Sequence, residues 1–312
     1  MLDIRRWQVW KACLTVDQRR IPSLFQKLAV SENRWTSLIS IDVPRTFAQS
    51  HKVHDSGLSS LGRILNAYAN LNPEVGYCQG MNFLVGLLVR VIVPKETELT
   101  PILEEDVFWV FVCLMDYDGL RDFYKDGFPL LLRYTSAFFE LMKSEVPDLH
   151  KHFEKEGITP SLFLHQWYLS LFINCLPFPT VLILWDSIIC EGLPVILSVS
   201  ISLLKVLRNV LLKMEFEQII RFFKTMKNGD EECDAKIIGQ LLVKQAALIT
   251  IPKSILRSLN TSGPPVPTSP WTSVPVFPIL FPSEPPRSDS PSILQRVWSA
   301  FATSNSGDDD NS

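Results

Sequence analysis

Two short segments of this 312-residue chain hold side chains that could do chemistry on a phosphate or an acyl group. The first is "ISIDVPRTF", where Asp42 precedes Arg45 by three residues and Pro44 stiffens the backbone just before the arginine. An aspartate so placed can pair with the guanidinium and set its direction, which lowers the entropy lost when the arginine docks on phosphate. Read alone, the same pair is better taken as a local surface ion pair worth less than about 1 kcal/mol. The second is "NPEVGYCQGMNF", in which Tyr77, Cys78 and Gln79 stand between Gly76 and Gly80, directly ahead of an apolar run. Three readings compete: a cysteine nucleophile in a Gly-x-Cys-x-Gly elbow, a glutamine lent to another protein's active site, or a turn that opens a helix.

A nucleophile elbow needs a buried strand before it and a base beside it. Neither is visible here. Upstream of Gly76, Leu58, Leu61, Leu65, Tyr68 and Leu71 recur at helical spacing and are followed by an Asn-Pro turn, and none of the five histidines (51, 54, 150, 152 and 165) sits in a motif that assigns it as base. A lent glutamine, by contrast, needs a cationic companion, because nucleoside triphosphate hydrolysis requires both oriented water and a charge that stabilises the transition state. Arg45 is a candidate for that companion.

The elements that must position these segments read as helices. Glu104, Glu105 and Asp106 open the run "VFWVFVCLM", with acids at the positive end of a helix dipole. "PLLLRYTSAFFELMKSEV", "PTVLILWDSIICEG", "LPVILSVSISLLKVLRNVLL" and "CDAKIIGQLLVKQAALI" are further segments of helical length. Strand alternation with hairpin turns is nearly absent, so the fold class is all-α, with more than ten helices. Eleven of the 22 prolines lie between Pro22 and Pro194 and eleven between Pro252 and the C-terminus. That shift divides the chain into a helical domain over 1–251 and a Pro/Ser-rich, largely disordered tail over 252–312, since each proline removes a donor and restricts its predecessor.

Composition narrows the function classes. Net charge is −3 and no Lys/Arg run is long enough to track a phosphate backbone, which argues against nucleic acid as a partner. The six cysteines, at 13, 78, 113, 175, 190 and 233, form no C-x-x-C pair and read as reduced core thiols of a cytoplasmic protein, with no metal site. Residues 157–185 carry no Asp, Glu, Lys or Arg, long enough on paper for a membrane span of about 20 residues. "HQW" at 165–167, Asn174 and the "LPFP" of 176–179 break that stretch, so two buried helices joined by a turn are expected instead.

Taken together, the two segments resemble the TBC domain of Rab GTPase-activating proteins, in which an arginine of I-x-x-D-x-x-R and a glutamine of Y-x-Q enter the active site of a bound Rab. Ile39, Asp42 and Arg45 match the first motif, and Tyr77 and Gln79 the second. Two further signatures are in order: Arg6, Val9 and Trp10 at the start, and Trp167, Phe172, Leu176, Pro177, Trp185, Asp186, Glu191 and Gly192 later. The resemblance runs from about residue 2 to about residue 230. It implies a multi-helix TBC-type domain that is not itself an enzyme but activates a GTP-bound Rab in membrane traffic, either free in the cytoplasm or peripheral on endomembranes. Arg45 would be the arginine finger and Gln79 the glutamine finger. Asp42 and Tyr77 would support them, and Gly76 and Gly80 would let backbone approach the nucleotide. Trp167, Trp185 and Asp186 are assigned to the core. No cofactor belongs to the chain, Mg²⁺ and GTP arriving with the GTPase. The alternative is a catalytically silent adaptor that holds a GTPase or another partner on the same surface. Members of the family usually open several residues earlier, with a Gly-Ile/Leu-Pro segment, so a shortened N-terminus would leave the first helix weakly anchored.

The tail carries two readings of its own. Pro282, Pro285 and Arg287 fit the P-x-x-P-x-R form that SH3 domains bind. Residues 292–301 set Ile293, Leu294, Val297, Trp298 and Phe301 on one face of an amphipathic helix.

Overall fold

The computed structural model of the chain describes residues 2–46, 55–93, 99–227 and 232–260. The SH3-type segment and the amphipathic segment at 292–301 lie outside these residues. Among those described, helices dominate and no strand is present, in agreement with the all-α expectation.

The chain divides into two compact units, Met1–Pro129 and Leu130–Ser312. In the first, α1 (Leu2–Cys13), α2 (Val16–Arg19), α3 (Leu24–Ala29), α4 (Thr36–Asp42), α5 (Asp55–Leu71), α6 (Met81–Ile92) and α7 (Pro101–Asp116) follow in order. α5 is the axis of this unit, contacting α3, α4, α6 and α7. Its stripe behaves as the spacing requires: Leu61, Leu65 and Tyr68 are buried, together with Ile64 between them. α7 begins on Pro101, with the Thr100 hydroxyl accepting from the Leu103 N–H, a proline-first start under a threonine cap.

The acids at the head of α7 do more than meet the helix dipole. Asp106 accepts Trp7 Nε1 at 2.7 Å and Lys11 Nζ at 2.8 Å, and pairs with Arg20. Glu104 receives Arg63 through Nε at 2.6 Å and a terminal nitrogen at 2.9 Å, and Glu105 accepts from Gln26. α1, whose anchorage the sequence left in question, is therefore fastened by Trp7 and Lys11 and by the burial of Trp10.

The second unit holds α8 (Pro129–Glu145, whose first residue belongs to the preceding unit), α9 (Pro147–Glu156), α10 (Leu164–Leu169), α11 (Phe178–Glu191), α12 (Val195–Leu211), α13 (Phe216–Thr225), α14 (Glu232–Ala246) and α15 (Lys253–Leu259). α14 packs on α11 and α12. Trp167 and Trp185 are fully buried, as assigned, and Trp167 is surrounded by Phe163, Phe172 and Phe223. Asp186 is half-buried.

The uncharged stretch 157–185 does resolve into two helices and a turn, but α10 stops at Leu169, well before the prolines. Leu171 and Phe172 adopt left-handed backbone, and the Trp185 indole N–H donates to the Leu171 carbonyl, 3.1 Å away. No glycine marks this stop; the left-handed segment is instead met by a bond from 14 residues along the chain. Among the described residues, no helix is long and apolar enough to cross a membrane. α15 lies beyond the expected boundary at 252 and buries Leu259.

Candidate functional site

Both chemistry-bearing segments lie in the first unit. α4 ends at Asp42 and tightens into a 3-10 turn over Val43–Arg45, with Pro44 inside it. Ile39, Asp42 and Val43 face inward, and Arg45 faces out with 69% of its side chain exposed. A terminal nitrogen of Arg45 lies 3.8 Å from Asp42 Oδ1. That separation steers the guanidinium without holding it in a hydrogen bond.

Asp42 is the buried centre of the site. A carboxylate removed from water needs a donor, and the Tyr77 hydroxyl supplies it at 2.9 Å to Oδ2. Burial first, and then the negative charge of Asp42, push the Tyr77 phenol far above its ordinary pKa, so it remains a donor. The same two causes push the Cys78 thiol up to about 12. A thiol held protonated at neutral pH is a poor nucleophile, and the half-buried Cys78 points its sulfur at the Gln79 carbonyl, 3.6 Å away. The cysteine-elbow reading is thereby removed: what precedes Gly76 is α5, and the thiol is the wrong species.

Gln79 is half-buried, and its carboxamide makes no hydrogen bond to the described residues. Next to it, Gly80 takes φ 117°, a conformation that residues with side chains avoid, and caps α6. The Gly80 N–H donates to Asn82 Oδ1 at 3.0 Å, and Asn82 Nδ2 donates to the Thr46 hydroxyl at 2.9 Å. Thr46 in turn donates to the Asp42 carbonyl at 3.0 Å. Asn82 and Thr46 thus join the arginine segment to the glutamine segment; sequence reasoning missed Asn82 and gave Thr46 no role. The threonine directly after Arg45 and the asparagine three residues after Gln79 were the available signal.

Gly76 has a different purpose from the one the sequence suggested. A Cβ placed there would lie 2.0 Å from the Trp35 ring, so the room left by the missing side chain is filled by that indole rather than kept for nucleotide. The Arg34 guanidinium lies 4.1 Å from the centre of the same Trp35 ring. Trp35 thereby ties the start of α4 to the glutamine loop.

α4 is also seated from below. Asn66 of α5 accepts from Asn33 Nδ2 at 2.8 Å and from the Thr36 hydroxyl at 2.7 Å, while its own amide donates to the Ser31 carbonyl at 2.6 Å. The start of the arginine-bearing helix is pinned by a buried, hydrogen-bonded asparagine. Among the described residues, no group of three or more His, Cys, Asp or Glu side chains is placed to hold a metal ion.

Arg45 and Gln79 thus stand on two segments joined by the Tyr77–Asp42 and Asn82–Thr46 hydrogen bonds. Residues 3–212 match the model of the Rab-GTPase-TBC domain family. The chain is 29% identical over 238 residues to the Rab GTPase-activating protein eat-17 of Caenorhabditis elegans, covering 75% of this chain and 25% of that protein. It is 28% identical over 219 residues to the human ecotropic viral integration site 5 protein homolog, covering 69% of this chain and 26% of that protein. The chain therefore spans about a quarter of the length of these relatives. Among solved structures, the Chlamydomonas flagellar RabGAP TBC domain shares the fold, with a TM-score of 0.65 at 24% identity, covering 78% of this chain and 79% of that one. On the extent of the family match, and with the helical architecture in agreement, this chain belongs to the Rab-GTPase-TBC domain family.

Proposed function

We propose that this chain is a GTPase-activating protein for a Rab-type GTPase, acting by inserting Arg45 and Gln79 into the partner's nucleotide site. The observation that carries the reading is an outward-facing Arg45 in a segment that is joined by Tyr77–Asp42 and Asn82–Thr46 to the loop bearing Gln79. An arginine that served only to balance Asp42 would be expected at hydrogen-bond distance. Here it lies at 3.8 Å and keeps most of its surface in water.

The chemistry follows from the reaction. Hydrolysis of GTP builds negative charge on the oxygens around the β- and γ-phosphates, and the guanidinium supplies the opposing charge there. Arginine fingers of this kind contribute about 10³ to 10⁵ in rate, roughly 4–7 kcal/mol of barrier. The Gln79 carboxamide both donates and accepts, which suits it to orient the attacking water in place of a glutamine from the GTPase. Asp42 keeps Arg45 directed toward the partner, and Tyr77 neutralises the cost of burying that aspartate. Family membership supports a role in membrane traffic, with the protein acting from the cytoplasm or from the surface of endomembranes.

Single-turnover GTP hydrolysis across a panel of Rabs tests this reading, using wild type, Arg45→Ala and Gln79→Ala. Acceleration by wild type is expected to fall by about 10³ in Arg45→Ala, with the folded state intact because the side chain is largely exposed. Equal rates for all three proteins sink the proposal. Binding to a GTP-loaded Rab that survives Arg45→Ala, with no rate effect from either protein, would instead establish an adaptor.

A further inference from the structure

Asn82 is 1% exposed, and both ends of its side chain are committed. Its Oδ1 accepts from the Gly80 N–H, a bond within its own turn, and its Nδ2 donates to Thr46, 36 residues away. The Thr46 hydroxyl gives its one proton to the Asp42 carbonyl and so can only accept from Asn82. The direction of every bond is therefore determined, from Asn82 through Thr46 to the backbone of Asp42. Arg45 immediately precedes Thr46, and Gln79 immediately precedes Gly80. A local cap on α6 would need only the bond to Gly80. The reach to Thr46 adds a third attachment between the two segments, beside the Tyr77–Asp42 bond and the Trp35 ring against Gly76, and it is the one that joins the residue after Arg45 to the turn after Gln79.

We propose that Asn82, acting through Thr46, is a positioning residue that sets the separation and heading of Arg45 relative to Gln79, and so governs turnover on the bound GTPase rather than its recruitment. This rests on the finger reading of Arg45 and Gln79. Both groups must meet one reacting phosphate, and misplacement by about 1 Å costs up to about a hundredfold in rate.

The test compares the full chain with Thr46→Val, Thr46→Ser and Asn82→Leu. Amide hydrogen exchange is read first, since it needs no GTPase. Thr46→Val is expected to speed exchange about tenfold or more in the loop at 76–80, although the substitution lies in the other segment, while α5 and α7 keep their protection. Thr46→Ser, which retains the hydroxyl, should restore the wild-type pattern, and Asn82→Leu should loosen both loops. With a GTP-loaded Rab as substrate, Thr46→Val is expected to lower kcat about tenfold to a hundredfold with KM changed less than about twofold, and Thr46→Ser to recover it. Unchanged exchange at 76–80 in Thr46→Val overturns the proposal. So does exchange that rises across the whole unit, a loss confined to KM, or a serine variant as impaired as the valine. If wild type accelerates no Rab, the finger reading fails on its own, and the exchange pattern still decides whether the two loops are coupled.

Discussion

Asp42 shows how one buried carboxylate can serve a residue that is not buried. It lies 3.8 Å from the exposed Arg45 and accepts the Tyr77 hydroxyl at 2.9 Å, so the cost of its desolvation is met inside the protein and its charge still acts outward. Tyr77→Phe leaves that carboxylate short of a donor, and it should destabilise the chain by about 1–3 kcal/mol, the usual cost of an unsatisfied buried acceptor. Thermal or denaturant unfolding measures this directly. The same variant should reduce Rab-stimulating activity less than Arg45→Ala does, because Tyr77 touches no phosphate in the proposed arrangement. The approach of Asp42 to Arg45 was legible from their three-residue spacing, whereas the bond from Tyr77 to Asp42 spans 35 residues and was not. The purpose of Gly76 was not, since the Trp35 ring that fills its space is contributed from 41 residues upstream.

At the scale of elements, the first unit is held by acids that look decorative in the sequence. Asp106 gathers Trp7, Lys11 and Arg20 at the head of α7. Burial alone would raise its pKa, but hydrogen bonds from Lys11 and Trp7 and the charges of Lys11 and Arg20 bring it below the ordinary carboxyl value. A depressed folded pKa contributes stability that is present above the unfolded-state value and is lost as pH falls through the folded one. Asp106→Ala should therefore cost about 2–4 kcal/mol at neutral pH, loosen exchange in α1, and flatten the acid limb of the stability profile. An unfolding series from pH 7 to pH 2 on both proteins checks the first and third, and amide hydrogen exchange checks the second. Had the acids acted only through the helix dipole, the loss would be under about 1 kcal/mol.

For the whole molecule, the buried phenols and thiols bear on stability at alkaline pH. Burial is the leading cause that raises the phenols of Tyr68, Tyr77, Tyr124 and Tyr168, and also the thiols of Cys78, Cys113 (to about 11) and Cys175. These groups keep their protons in the folded chain and release them at ordinary values when unfolded. The stability they contribute is thus complete below about pH 8–9, the ordinary thiol range, and declines as pH rises beyond it. A spectrophotometric titration should show these four tyrosines silent near pH 10 and ionising together at a cooperative unfolding step. Release of more than two of the six phenolic protons around pH 10 by the folded chain would contradict this account.

Much about this chain was local in origin and so was legible in the sequence. Helix-period stripes such as Leu61, Leu65 and Tyr68, proline-first helix starts, and the short spacings Asp42 to Arg45 and Tyr77 to Gln79 led to an all-α fold and to the two segments that matter. Hydrophobic periodicity and capping act within a turn or two of chain, so the order of residues suffices to express them. What lay beyond a few turns was decided only by tertiary structure. The acids of α7 became sockets for α1, and past the early end of α10 the Leu171 carbonyl is met by Trp185. Asn82 met Thr46 because α4 and the loop ahead of α6 come to lie together. Such partners are chosen by which surfaces fold against one another, and no spacing along the chain records that choice.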